Sequence, residues 1–147
     1  MSLKIHKALI LIFLVVFFDQ LTKYLAIKFL APRGVIKLLP FFNLVYVENT
    51  GTAFGMFKFL GAGFFIVIAL FAIVFLIYMY FKDSQNWLIY SLIIAGASGN
   101  ILDRLIYGYV IDFIDLHLKN LHWPAFNVAD SAISIGIVLF LYKSLKK

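Results

Sequence analysis

Two aspartates in the C-terminal third of the chain, Asp112 in GYVIDFID and Asp130 in HWPAFNVADS, have no lysine or arginine three or four positions away to neutralise them. Brought to one depth, two carboxyl groups cannot both ionise cheaply, so one pKa rises and the pair holds a single proton at working pH. Such a pair suits acid–base hydrolysis: the ionised member takes a proton from water while the protonated member polarises a carbonyl. Asp115, three residues beyond Asp112, is its rival for that role. A helix N-cap role for Asn127 or Asp130 is the plain structural alternative.

Other polar residues are spaced so that they share helix faces. Asp19 and Lys23 are four apart with the acid on the N-terminal side, the better order for an intrahelical pair. Gly96, Asn100, Asp103 and Arg104 gather on one face, the glycine permitting close helix approach. Structural glue is the reading that best fits Asp19 with Lys23. Ser98 with Lys23 is a conceivable nucleophile and base, although Ser98 also reads as a small packing residue. The histidines are His6, His117 and His122, with no H-E-x-x-H motif, so no metal site is expected; His122 beside Trp123 reads as an interfacial anchor. The absence of cysteine excludes disulfides, thiolate ligands and cysteine nucleophiles.

The elements that must position these residues follow from composition. Of 147 residues 64% are hydrophobic, 17 are phenylalanine and only 14% are charged. A soluble domain of this size buries only about two thirds of its unfolded surface, so lipid must be the solvent for much of this one. The net charge of +6 resides mainly at the ends of apolar runs, where headgroups and topology explain it, and no nucleic-acid partner is expected. A bilayer core about 30 Å thick needs about 20 helical residues. Four runs come close, at 8–29, 61–81, 87–107 and 127–142. The first resembles a signal peptide at its start but continues past Asp19 without a small-residue cleavage pattern, which favours a retained span.

Between the first two runs, Pro32, Gly34, Pro40, Asn43, Asn49, Gly51 and Gly55 break any helix. Within that stretch FFNLVYVEN reads as a short strand or small sheet at the membrane surface, and Thr52 to Leu60 as a brief interfacial helix. The expected fold is an all-α membrane protein of one domain, with four transmembrane helices, a small extracytoplasmic sheet and that short helix. Lysines crowd into short flanks on one side (Lys4, Lys7, Lys82, Lys143, Lys146, Lys147), which places both termini in the cytoplasm. Asp19, Lys23, Asn100, Asp103, Arg104, Asn127 and Asp130 then share the outer layer. A proton-coupled transporter is the rival class, but transporters carry internal repeats and polar groups at the midplane, and no repeat is seen.

Five ordered segments add a resemblance: DQLTK (Asp19 to Lys23), NTGTAFG (Asn49 to Gly55), GASGNILDR (Gly96 to Arg104), VIDFID (Val110 to Asp115) and HWPAFNVADS (His122 to Ser131). Together the chain resembles the lipoprotein signal peptidases, the bacterial signal peptidase II family. The resemblance implies an aspartic endopeptidase of the bacterial inner membrane. It would remove signal peptides from prolipoproteins immediately before a diacylglyceryl-modified cysteine, with membrane lipid as its surroundings and no cofactor. By motif the catalytic pair is Asp112 and Asp130, which decides between Asp112 and Asp115 where spacing could not. Asn49, Gly51, Asn100, Arg104 and Asn127 become substrate-holding groups, and Asp19, Lys23 and Asp103 supporting ones. Ala95 stands where the family often has glycine, and Thr52 where alanine is commoner. A monomer is the simplest expectation.

Overall fold

The structure, a computed structural model, describes residues 2–51 and 58–146. Among these residues four helices are long and apolar enough to cross a bilayer. They are α1 (Ser2–Phe29), α2 (Gly61–Lys82), α3 (Trp87–Ile106) and α4 (Val128–Leu145). All four expected runs are helices; α1 begins six residues earlier than the apolar run, and α4 extends three residues later. The stretch Thr52 to Phe57, which held most of the expected interfacial helix, lies outside the described residues. Lys58–Leu60 form a single 3-10 turn that leads into α2.

The expected small sheet exists, but it is larger than FFNLVYVEN alone. Strands β1 (Ile36–Leu39), β2 (Phe42–Asn49), β3 (Val110–Leu118) and β4 (Leu121–His122) lie in that spatial order with antiparallel pairing. The segment read as a connection between the third and fourth helices is therefore the longest strand. Its sequence, VIDFIDLHL, is rich in β-branched and aromatic residues, and the pleat sends alternate side chains to opposite faces. Asn43 pairs with Asp115, and Val47 with Asp112, across a register shift between Leu44 and Val47.

Helix α3 is the hub, packed against α1, α2 and α4. Its small residues allow this. A Cβ added to Gly96 would meet the Ala129 carbonyl oxygen and Ile133 of α4, and one added to Gly99 would fall 2.5 Å from a carboxylate oxygen of Asp19. The outward surfaces of α1, α2 and α4 stay apolar, including Phe13, Phe71, Phe75, Val138 and Leu141, as lipid contact demands. One apolar cluster joins Ala8 of α1, Tyr80 of α2 and Ile89, Tyr90 and Ile94 of α3. A second joins Ala26 of α1 and Leu30, the residue that follows it, to Ile111 and Phe113 of β3, fastening the sheet to the end of the bundle.

Gly96→Ala should lower stability by about 1–3 kcal/mol, because the obstruction is α4 backbone that cannot rotate away. Thermal unfolding of the purified protein in detergent measures the loss.

Candidate functional site

The site is founded on a buried lysine. Lys23, about 1% exposed, reaches Asp19 at 2.8 Å and Asp103 at 2.9 Å, and its ammonium also donates to Asn100 Oδ1 at 3.1 Å. Each of these carboxylates uses its other contacts to hold backbone. Asp19 Oδ1 accepts from the amide of Ala129 (2.8 Å), and Asp103 Oδ2 from the amide of Ile111 (2.9 Å). Those amides belong to the residues immediately before Asp130 and Asp112. Gln20, which sequence reasoning left without a role, donates to Asp103 Oδ1 (2.9 Å) and to the Gly99 carbonyl (3.2 Å), closing the network between α1 and α3.

Above this base the two aspartates are joined through asparagines. Asn127 is the N-cap of α4: its Oδ1 accepts from the Asp130 amide (2.8 Å), while Asp130 Oδ2 accepts from the Asn127 amide (3.3 Å), a reciprocal capping box. With Oδ1 so occupied, Asn127 must turn its Nδ2 to Asp112 Oδ1, at 2.8 Å. Asn49 is oriented the same way, since its Oδ1 accepts from the Gly51 amide (3.0 Å) and its Nδ2 donates to Asp112 Oδ2 (2.9 Å). Asn100 takes Lys23 on its oxygen and donates to Asp130 Oδ1 (2.7 Å). The two carboxylate oxygens of Asp130 are thus divided, Oδ2 going to the helix cap and Oδ1 to Asn100.

Both aspartates line one cavity of about 600 Å³, with Asn49, Gly51, Asn100 and Arg104 beside them. Its remaining wall is Val110, Trp123 to Phe126 and α4 from Ser131 to Ile135, none of which the sequence had assigned to the site. Arg104 does not stand free: it donates to the Gly51 carbonyl (3.0 Å), and its guanidinium lies 5.1 Å from the centre of the Phe65 ring. Burial, with the charge of Asp130 next, raises the pKa of Asp112 to about 7 although two amides donate to its carboxylate.

Asp115 points elsewhere. Three residues along a strand is an odd step, so it faces away from Asp112. It accepts from Asn43 (2.8 Å) and pairs with His122 (2.8 Å). Those bonds outweigh the opposing effect of burial and hold its pKa below the ordinary value. His122, expected as an interfacial anchor, is half exposed, is this carboxylate's partner and stacks on His117 with ring centres 4.8 Å apart. Ser98 donates to the Ile94 carbonyl and Lys23 is fully engaged, so a serine–lysine pair is not formed.

Four membrane-length helices, a small sheet at one end and two carboxyls in a common cavity define a polytopic membrane enzyme in form. Two solved structures described as bacterial membrane enzymes share this fold. One has a TM-score of 0.89 at 34% identity, covering 97% of this chain and 89% of that one; the other has 0.86 at 33%, covering 97% and 95%. The family model for signal peptidase II matches residues 11–146, and the chain belongs to that family of peptidases. A lipoprotein signal peptidase of Thermodesulfovibrio yellowstonii is 81% identical over the full length of both chains. One from Polynucleobacter necessarius is 43% identical, covering 99% of this chain and 93% of that one. The chain is accordingly a multi-pass bacterial membrane protein.

Lys23→Met leaves two buried carboxylates without their cation and should cost about 3–5 kcal/mol, read as a drop in unfolding temperature. A second expectation follows from Asp112. Its folded pKa of about 7 exceeds the ordinary 3.8. Between those values the folded chain holds a proton that the unfolded chain releases, so this group's effect is to lower stability as pH rises through the window, levelling above it. Asp112→Asn should remove that component, and unfolding temperature should fall less between about pH 4 and pH 7 than in the parent.

Proposed function

We infer that this chain removes the signal peptide from lipoprotein precursors, cutting immediately before a cysteine that carries diacylglycerol, with Asp112 and Asp130 as the catalytic pair. The observation that carries the reading is the shared cavity. Two carboxyls, held by amides whose orientations are fixed from behind, face one space large enough for a peptide segment. One carboxyl, ionised, takes a proton from water as the water attacks the scissile carbonyl; the other, protonated, donates a hydrogen bond to that carbonyl oxygen and later passes a proton to the leaving amine. Asn49, Asn100 and Asn127 set the angles of the two carboxyls. Gly51, its amide given to Asn49 and its carbonyl to Arg104, forms a fixed stretch of cavity wall against which the substrate lies.

The substrate's signal peptide is itself an apolar helix, and its modified cysteine bears acyl chains, so both arrive through the bilayer. The lysine distribution supports cytoplasmic termini and a site near the extracytoplasmic face, where water meets lipid. Phe41, exposed in the turn between β1 and β2, suits a surface resting on that interface. One domain working as a monomer within membrane lipid suffices for this chemistry, since every group in it comes from a single bundle and its sheet.

Purified protein supplied with a diacylglyceryl-modified prolipoprotein should release the signal peptide. Asp112→Asn and Asp130→Asn, at matched folded yield, should each lower turnover by at least about 10²-fold, the lower end of what positioned acid–base catalysis supplies. An inert parent would sink the substrate assignment, and full activity in either variant the residue assignment.

A further inference from the structure

The strand that carries Asp112 into the cavity sends its neighbour Phe113 to the opposite face. There Phe113 lines a groove of about 280 Å³ between the C-terminal end of α1 and the sheet, walled by Leu25 and Phe29 of α1, Leu30 just beyond it, Ile36 of β1 and Leu44 of β2. The one polar side chain among the groove's described walls is Thr22, whose hydroxyl is spent on the carbonyls of Phe18 and Asp19. The groove therefore offers contact to hydrocarbon and nothing to a polar ligand.

Two cations stand against one of these walls. Lys28 Nζ lies 5.4 Å from the centre of the Phe29 ring, and the Arg33 guanidinium carbon 5.9 Å from the same ring. Arg33 is turned back over the helix end by a tight bend, in which the amides of Arg33 and Gly34 donate to the Leu30 carbonyl and Gly34 takes φ of 74°. Both cations are exposed, and neither has a carboxylate within ion-pair distance among the described residues. Single basic residues at a helix end need no more explanation than the membrane interface. Two converging on a ring that lines an apolar groove present cation and hydrocarbon contact together, the complement of a lipid phosphate and its chain.

We propose that this groove binds one acyl chain of an anionic phospholipid, with Lys28 and Arg33 taking its phosphate. The lipid braces α1 against β3 from the face opposite the cavity, and Phe113 carries that support to the backbone of Asp112.

The test is binding to delipidated, detergent-purified protein, followed by native mass spectrometry and thermal unfolding, so its outcome does not depend on peptidase activity. Phosphatidylglycerol should be retained and raise the unfolding temperature; phosphatidylcholine, whose choline cancels the phosphate charge, should do so much less, and inorganic phosphate, which has no chain, not at all. The double variant Lys28→Gln, Arg33→Gln should bind phosphatidylglycerol about thirtyfold more weakly, from the usual contribution of two basic residues at a lipid surface. Lys143→Gln with Lys146→Gln, at the far end of α4, should bind as the parent does. Leu25→Trp, which fills the groove and leaves both cations in place, should also lose the lipid. Equal effects of the two lipids, stabilisation by phosphate alone, or undiminished binding in the double variant or in Leu25→Trp would overturn the site.

Discussion

A single buried ammonium group organises this molecule. Lys23 would be intolerable at its depth without compensation, since a charge removed from water costs several kcal/mol unless paired. Asp19 and Asp103 supply that compensation at 2.8 and 2.9 Å, and thereby lock α1 to α3. The same two carboxylates reach past the lysine to one backbone amide each, at Ala129 and Ile111. The starting point of α4 and the path of β3 are thus set by one charge cluster, and the side chains that follow, Asp130 and Asp112, inherit their positions. A rigid apolar contact would fix distance only; ion pairs and hydrogen bonds fix direction as well, so the two carboxyls are held in orientation and not merely in place.

Packing makes the cluster affordable. Gly96 and Gly99 let α4 and Asp19 approach α3 so closely that a methyl group has no room at either position. Ala95, the residue before Gly96, is fully buried, and there a methyl fits. Small residues buy short helix separations in lipid, where no hydrophobic force presses helices together. Those separations keep water and lipid away from Lys23.

Much of this was legible in the chain. Four runs near 20 residues became four helices because, in a bilayer, every backbone group must be satisfied within its own segment. The polar clustering on helix faces was legible for the same reason: Asp19 with Lys23, and Asn100 with Asp103, sit where 3.6-residue periodicity puts them. What escaped was β3. VIDFIDLHL is short and apolar between two helical runs, and it looked like a connection because its partner, β2, lies more than 60 residues earlier. Knowing it as a strand separates Asp112 from Asp115 at once, since an odd step changes face; read as undefined chain, the two stay equivalent. Gln20 escaped for a different reason: one amide beside a salt bridge has no spacing signature, and only the fold shows what it spans.

Charge balance then explains the unusual state of Asp112. Lys23 is committed to two carboxylates, and Arg104 is held over Phe65 and against the Gly51 carbonyl, so neither cation is dedicated to the pair in the cavity. Two amides donating to Asp112 favour its ionised form, yet burial and the neighbouring Asp130 outweigh them, leaving its pKa near 7. Hydrogen bonds from neutral amides stabilise a carboxylate only partly compared with the water they replace. The frame thus withholds a counterion from the pair while fixing its geometry, and a proton is the neutralising charge that remains. A fixed cation there would hold both carboxylates in the ionised form, and the proposed mechanism would then lack its acid.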